Sequence, residues 1–536
     1  MWRRDLRIAR PLRCALRSGV PAVFAGLILY LSLAPRTWWW SAPVAFAVLG
    51  LTLHGCRFRQ GAGRGFLFGL AFFVPQLSWL QDFLGDDFGP WPWLALSVMM
   101  ALYFALAGGL CAVVQRLPWG AVWMAAVVIA METPRMWFPF GGFPWGRIAF
   151  TQPEGFFLPL ASFGGAPLVG FAVVLCGFGL SRLVLRSREI GWRFRRVLVG
   201  PVLAVVLPVV IGMGAWTSVD DSARAGDRTV AVLQGNAPDR GLALLGERDV
   251  LRDNHFAEFR RLTEQVRAGQ VPKPDLVVWP ETSVRMPADG DRLGELVNEL
   301  GVPVLVGALE RLPDGRNQNV AIVWQPGEGP GQRYAKQWLV PFGEYMPARE
   351  IARLVTPFAD SGEDISPGTG GPAALRLGGT VVGASICYEV AYDQAGRDAI
   401  RAGAEMLAVP TNNAWYGRSE MTYQQLAMAR LRAVEHGRTV LVAATSGVSA
   451  IIRPDGTVAR ASRQFTATTL IDTVSLRRDL TMSDRLGPWV EQVLIAAATG
   501  AVAAALVLWV RSRSSERQAS GLLRRRGKVD TNHYKS

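Results

Sequence analysis

The sequence predicts a multi-span α-helical membrane domain carrying one large extracytoplasmic α/β domain. Three observations lead there. Apolar residues are segregated along the chain, Arg and Lys crowd one set of loops between apolar runs, and short β-branched runs alternate with amphipathic stretches between residues 217 and 486. Half of the 536 residues are hydrophobic, only 19% are charged, and the mean hydropathy is positive. Soluble domains carry about a quarter charged residues. An ordinary soluble enzyme, a disordered chain and a nucleic-acid-binding basic protein are therefore excluded, despite a formal net charge of +14.

A membrane-crossing helix needs about 20 mostly apolar residues. Eight runs are candidates: 18–35, 37–55, 65–83, 92–115, 118–134, 160–181, 197–216 and 489–510. Seven belong to a membrane domain, residues 1–216, and the α/β domain follows at 217–486. The eighth lies within 487–512 and precedes a basic tail, 513–536, expected to be disordered. A cleaved signal peptide is the alternative for the first run, because Arg3, Arg4, Arg7 and Arg10 precede it. A second apolar stretch follows at once without a clear small-residue cleavage site, which favours a retained helix. Lys and Arg flanking spans stay cytoplasmic. With eight spans, 24 of them fall on the side of the two termini, and only Arg36, Arg135 and Arg147 on the other. Both termini are expected in the cytoplasm and the α/β domain outside. The juxtamembrane basic tail suits an anionic inner leaflet better than nucleic acid.

The stretch from Met136 to Phe150, MWFPFGGFPWGRIAF, fits neither a helix nor an ordinary loop. Aromatic rings settle at the headgroup boundary. Two readings stay open, an aromatic belt or a lipid-contacting re-entrant segment. Of five cysteines, Cys14, Cys56, Cys111 and Cys176 lie in or beside apolar runs, and Cys387 alone lies in the outer domain. A disulfide needs two, so a lone thiol in an oxidising compartment is either buried or required. Lysine is rarer still: Lys273, Lys336, Lys528 and Lys535 are the whole set. Lys273 stands beside prolines in a loop. Lys336 is the candidate for a compact charge that Arg cannot copy. His255 and His436 stand in no recognisable motif. No cluster has metal-ligand spacing, and neither a phosphate-binding loop nor a dinucleotide fingerprint occurs, so no metal or cofactor is expected.

Within the outer domain, 229–236, 275–281, 302–309, 380–389, 406–415 and 439–447 are short and β-branched, as strands buried on both faces should be. Helical patterns occupy 249–268, 291–300 and 420–436. Three segments place chemistry at strand ends. Trp279-Pro280-Glu281 stops a strand, because proline cannot continue a central ladder. Lys336 precedes the turn Pro341-Phe342-Gly343-Glu344-Tyr345. A buried strand runs into Cys387-Tyr388-Glu389.

Together these segments resemble the Glu-Lys-Cys triad of the nitrilase (carbon–nitrogen hydrolase) superfamily, and nearly the whole chain resembles the bacterial apolipoprotein N-acyltransferase family. Gln234-Gly235-Asn236, the stretch Asn412 to Gly417 and the stretch Met428 to Arg438 add to the match. The resemblance implies a nitrilase-like α-β-β-α sandwich and a bacterial inner-membrane location. It implies Cys387 as nucleophile, Glu281 as general base and Lys336 as the cation that favours charge on sulfur and on the oxyanion. Glu344 would orient that pair, Tyr388 and Glu389 would support the pocket, and Tyr345, Asn412 and Trp415 would meet substrate. The implied donor is a membrane phospholipid, typically phosphatidylethanolamine. The implied acceptor is the α-amino group of the diacylglyceryl-modified N-terminal cysteine of an apolipoprotein. A membrane-tethered amidase or nitrilase acting on small C–N substrates is one alternative, and a non-catalytic lipid-binding scaffold another.

Overall fold

The computed structural model describes residues 19–84, 89–187, 198–222, 224–239, 248–353, 364–371 and 373–529. Cys14, the N-terminal arginines, the loop at 188–197 and the last seven residues of the tail lie outside them.

Apolar helices occupy Val20–Tyr30, Ser41–Leu53, Phe58–Gln76, Trp91–Val114, Gly120–Ala130, Ala161–Ser187 and Val199–Ala215, and a further helix runs Trp489–Val529. Among the described residues, four stretches are long and apolar enough to cross a membrane: Trp91–Val114, Leu158–Ser187, Val199–Ser218 and Trp489–Ser512. The first two expected spans form helices of 11 and 13 residues. At about 1.5 Å per residue, these fall short of a hydrocarbon core roughly 30 Å thick. The third helix starts earlier than the apolar run that announces it, because Gly61, Gly65 and Gly69 line one face. A Cβ on Gly61 would lie 2.4 Å from the Gly108 carbonyl oxygen, and one on Gly65 2.0 Å from that of Phe104. Small residues spaced by four let helix backbones touch. The fifth run breaks after Ala130, and a short helix, Glu132–Trp137, follows. The last helix continues to Val529, so the stretch expected to be disordered is helical that far. Its Arg, Gln, Ala and Leu propagate a helix already nucleated by the apolar run.

The α/β part begins with strands β1 (Asp227–Gln234), β2 (Leu276–Val278), β3 (Val284–Met286), β4 (Val304–Arg311), β5 (Asn317–Gln325) and β6 (Gly329–Ala335). It continues with β7 (Ala374–Leu377), β8 (Thr380–Ala384), β9 (Met406–Thr411), β10 (Val440–Ala444), β11 (Ala450–Ile452), β12 (Val458–Ala461) and β13 (Thr468–Ser475). One sheet has the order β13-β1-β2-β4-β5-β6, with β3 paired to β4, and the other β12-β11-β10-β9-β8-β7. Each is mixed, with a parallel centre: β1-β2-β4 in the first and β8-β9-β10 in the second.

Alternation along β1 and β2 explains why those strands read as unbroken apolar runs. Ala231, Leu233, Val277 and Trp279 pack against Phe256, Phe259, Leu293 and Val297 of helices Arg248–Arg267 and Gly290–Leu300. Their neighbours Val230, Val232, Leu276 and Val278 share a core with Val382, Leu407 and Leu441 of the second sheet. Helices Asp393–Arg401 and Met421–His436 pack on that second sheet. The layers are therefore helix, sheet, sheet, helix. Gln234 ties them at the strand end. It donates to the Arg463 and Thr466 carbonyls, each at 2.9 Å, and accepts from the Ser449 and Ser462 hydroxyls at 2.7 and 2.8 Å.

The parallel centre also sets the height of Glu281. Strand β4 passes beneath it at Gly307, where a Cβ would lie 2.2 Å from the Pro280 oxygen and 2.5 Å from the Glu281 Cα. Gly307→Ala is expected to destabilise the protein by about 1–3 kcal/mol through overpacking and to displace Glu281. Thermal unfolding in detergent, measured beside catalytic turnover, checks both effects.

Candidate active site

Glu281 follows the end of β2, Lys336 the end of β6, and Cys387 the extended residues after β8. Both sheets therefore deliver their strand ends to one place. Lys336 lies in the interior, its ammonium 2.9 Å from Glu281 Oε1 and 3.0 Å from the Glu344 carboxylate. Burial alone would pull its pKa down, but Glu281 and Glu344 outweigh that and hold it well above its ordinary value. It stays an ammonium. Asn319, on β5, donates its amide to both carboxylates, at 2.7 Å to Glu281 and 2.9 Å to Glu344. The Asn412 N–H reaches the other Glu281 oxygen at 2.8 Å, and the Val340 N–H reaches Glu344 at 2.8 Å. Each carboxylate is thus fixed from several sides.

Cys387 sits in the left-handed backbone region, with φ 54°. A non-glycine residue there costs about 1–3 kcal/mol and persists only where its surroundings impose it. Glu389 is one restraint. Its Oε2 accepts the Ile386 N–H at 2.7 Å, and its Oε1 accepts the Tyr334 hydroxyl at 2.9 Å and the Gln337 N–H at 2.7 Å. It thereby joins the thiol-bearing turn to the segment just after Lys336. Arg432 is the second restraint, donating to the Val390 and Ala391 carbonyls at 2.9 and 3.0 Å.

The Cys387 thiol is pushed up to about 12, first by burial and then by Glu281, while Lys336 and the Thr411 hydroxyl pull it down. Lys336 does favour charge on sulfur, but burial and the carboxylates outweigh it. One ammonium faces two carboxylates, and the surplus negative charge keeps the proton on sulfur. Thr411 lies 3.2 Å and the Gln425 amide 3.7 Å from Sγ. Burial, then Cys387, Glu281 and Glu344, raise the pKa of the Tyr416 hydroxyl, and Lys336 opposes them.

The remaining residues singled out in the sequence are also placed. Glu344, Tyr388 and Glu389 border the three central groups. Asn412 is engaged inside the protein: its side chain donates to Thr282 at 2.8 Å and accepts from Thr445 at 3.0 Å. Its backbone N–H meanwhile holds Glu281. Tyr345 donates its hydroxyl to the Phe140 carbonyl at 2.6 Å. Trp415 packs against Ala237, Leu251 and Ala414. His255 donates its Nδ1–H to the Leu251 carbonyl, 2.7 Å away, and His436 pairs with Asp484 at 2.7 Å. Lys273 is exposed.

The aromatic segment from Met136 to Phe150 packs directly against this site. Tyr345, Tyr392 and Tyr388 donate in turn to the carbonyls of Phe140, Gly141 and Gly142, the last two at 3.1 and 3.3 Å. Trp145 lies parallel to Tyr388, with ring centroids 6.3 Å apart. Behind the thiol turn, the buried Arg147 reaches Asp393 at 2.7 Å and Glu132 at 3.4 Å, and Arg432 also reaches Asp393 at 2.7 Å. Burial would raise the Asp393 carboxyl, but the two guanidiniums hold it well below the ordinary carboxylate range. Asn319, Thr411, Gln425, Arg147, Asp393 and Arg432 had no signal in the sequence beyond being polar residues within apolar surroundings.

Two family models match the chain. Residues 25–179 match the apolipoprotein N-acyltransferase N-terminal domain, and residues 256–478 match carbon-nitrogen hydrolase. The chain is similar to the apolipoprotein N-acyltransferase of Mycolicibacterium smegmatis, with 38% identity over 539 residues covering 96% of this chain and 88% of that protein. It is 31% identical to the apolipoprotein N-acyltransferase of Pseudomonas syringae pv. tomato, covering 86% of this chain and 91% of that protein. A solved amidase from Nesterenkonia sp. aligns with 51% of this chain and 98% of its own at a TM-score of 0.35 and 19% identity.

Two expectations follow from the geometry. Asn319→Asp places a third carboxylate beside one ammonium and removes two hydrogen bonds to charged groups. Such bonds are worth about 1.5–3 kcal/mol each, so turnover should fall at least tenfold while the protein still unfolds cooperatively; unchanged turnover would show Asn319 to be dispensable. Glu389 is the second case, since burial pushes its pKa up to about 7 against the pull of the Gln337 N–H and Lys336. Between the ordinary glutamate value and 7 the folded protein holds more protons than the unfolded one, so this group's stabilisation is lost as pH rises through that window. Acyl transfer, which needs the ionised carboxylate to hold Ile386 and Gln337, should instead rise through it. A pH series of melting and turnover, with Glu389→Gln abolishing both trends, checks the sign.

Proposed function

The chain belongs to the apolipoprotein N-acyltransferase family, and on that premise we propose that it acylates through a thioester on Cys387 in two half-reactions. The enzyme is an acyltransferase of lipoprotein maturation associated with a membrane. The grouping of Cys387, Glu281 and Lys336 at the ends of β8, β2 and β6 is the observation that supports the chemistry.

In the first half-reaction the Cys387 sulfur attacks an ester carbonyl of a phospholipid, phosphatidylethanolamine in this reading. The C–S bond forms as Glu281 takes the thiol proton. A general base is needed at that moment, because the resting thiol lies several units above neutrality. Lys336 then faces the oxyanion, and a preorganised donor of this kind is worth about 3 kcal/mol. Collapse breaks the ester C–O bond, and Glu281 returns its proton to the departing glyceryl oxygen. A lysophospholipid leaves.

The second half-reaction reverses the roles. The α-amino group of a diacylglyceryl-cysteine attacks the thioester, Glu281 takes a proton from nitrogen, and the C–N bond forms as the C–S bond breaks. The proton returns to sulfur, and the acylated apolipoprotein leaves. Splitting one difficult transfer into two is the advantage of a covalent nucleophile. Alternating binding and release gives ping-pong kinetics.

Topology belongs to the same proposal. Eight spans, seven within 1–216 and one within 487–512, would put both termini in the cytoplasm and residues 217–486 outside the inner membrane. The charge asymmetry between loops supports that orientation. The exposed apolar side chains of helix Val199–Ala215, such as Val206, Leu207 and Val210, suit contact with lipid.

Mass spectrometry of the full-length protein incubated with phospholipid should show a fatty acyl group on Cys387, discharged by a diacylglyceryl-cysteinyl peptide. Cys387→Ser should lose the thioester. Glu281→Gln should slow its formation at least a thousandfold while lowering the thiol pKa, because the same carboxylate both takes the proton and opposes charge on sulfur. Normal adduct formation by Glu281→Gln would remove Glu281 from the mechanism.

A further inference from the structure

Gln76, Trp79 and Gln424 carry polar groups for which the protein supplies no partner. Both atoms of the Gln76 carboxamide, the Trp79 Nε1 and the Gln424 Nε2 are buried and unpaired. Their residues are 2%, 9% and 3% exposed, respectively. A buried donor without an acceptor carries its full desolvation penalty, and native interiors keep few of them.

These groups form one cluster. Gln76 closes helix Phe58–Gln76 and Trp79 opens the next short helix, Trp79–Leu84. Gly146 lies so close to Gln76 that a Cβ would fall 2.4 Å from its Nε2. The adjoining Trp145 has its ring centroid 6.4 Å from that of Trp79 and donates to Gln424 Oε1 at 2.8 Å. An indole nitrogen only donates, so that contact assigns the Gln424 oxygen and leaves its NH2 group to face something else.

The cluster borders the nucleophile. Gln425, the next residue, has its amide 3.7 Å from Cys387 Sγ. Tyr416, whose ring lies 4.9 Å from Trp79, ends the turn in which Asn412 holds Glu281. Three of the four unpaired atoms, Gln76 Nε2, Trp79 Nε1 and Gln424 Nε2, are neutral donors framed by aromatic rings, and the fourth, Gln76 Oε1, is an acceptor. Lys336 is engaged by two carboxylates, so a phosphate would find no free cation in this cluster. Neutral donors in apolar surroundings match carbonyl oxygens.

We propose that Gln76, Trp79 and Gln424 form a binding site for the ester carbonyl oxygens of a diacylglyceryl group, between the membrane helices and Cys387. The site rests on the acyl-transfer reading above and says where the glyceryl portion of its lipids is held. The phospholipid donor and the lipidated cysteine acceptor both present that group.

The full-length protein and two variants, the double change Trp79→Phe with Gln424→Met and the single change Gln76→Met, separate the cases. One ratio compares Cys387 acylation by phosphatidylethanolamine with that by p-nitrophenyl palmitate, which has no glyceryl ester. A second compares discharge of the adduct by a diacylglyceryl-cysteinyl peptide with discharge by hydroxylamine. A fall of about tenfold, equivalent to one well-made hydrogen bond, is expected. In the first ratio it assigns the site to the donor, and in the second to the acceptor. Both ratios staying within twofold of the unaltered protein overturns the proposal, even if all four rates drop together, as they would from misfolding or from a cluster that only holds water. No adduct on the unaltered protein with either acyl donor is a different failure: it sinks the thioester chemistry, and this site with it.

Discussion

A single ammonium group between two carboxylates is the constraint on which the site depends. Lys336 neutralises Glu281 and Glu344 at close range, and the Asn319 amide donates to the same Oε1 atoms of both acids that the ammonium holds. Removing one member of such a buried set leaves an uncompensated charge, which is far costlier than the intact set is stabilising. The count also matters chemically. Two acids and one base leave the pocket with excess negative charge, which adds to burial in raising the thiol. The same arrangement gives Glu281 a reason to accept a proton once sulfur begins to bond to carbon.

The pocket is held by its surroundings as much as by its own charges. The left-handed turn at Cys387 hangs from Glu389 on one side and Arg432 on the other. Arg432 shares Asp393 with Arg147 from the aromatic segment, and Arg147 in turn reaches Glu132 at the end of an apolar helix. Three tyrosine hydroxyls cap successive carbonyls of the same segment. Of the two readings of the Met136 to Phe150 stretch, a bare aromatic belt accounts for neither the buried Arg147 nor those capped carbonyls.

What the sequence made legible follows from sheet topology. The six strands recognised as apolar runs became β1, β2, β4, β8, β9 and β10, the parallel centres of the two sheets. Strands buried on both faces contain little but apolar residues. Strands such as β6, Gly329–Ala335, and β12, Val458–Ala461, lie at sheet edges, pair antiparallel and leave several residues exposed, so they lack that signature. Span lengths were less legible, because hydropathy does not register glycine packing such as that of Gly61, Gly65 and Gly69. The site divides the same way. Glu281 and Cys387 stand out because each ends an apolar run, and Lys336 because lysine is so rare in the chain. Asn319 is one polar residue within a strand, and Arg147 and Asp393 are 246 residues apart, so only folding brings them to notice.

The shared aspartate has a consequence for anyone wishing to handle the two halves separately. Cut away from the helices, the hydrolase-like half would keep Asp393 and Arg432 but lose Arg147, and its three tyrosine hydroxyls would lose the carbonyls they cap. The seam joins these polar links to a shared apolar core that includes Phe150, Leu158, Met428 and Leu431, so truncation opens both next to the reactive sulfur. An excised soluble fragment is thus a poor stand-in for the whole molecule, however well its two sheets assemble.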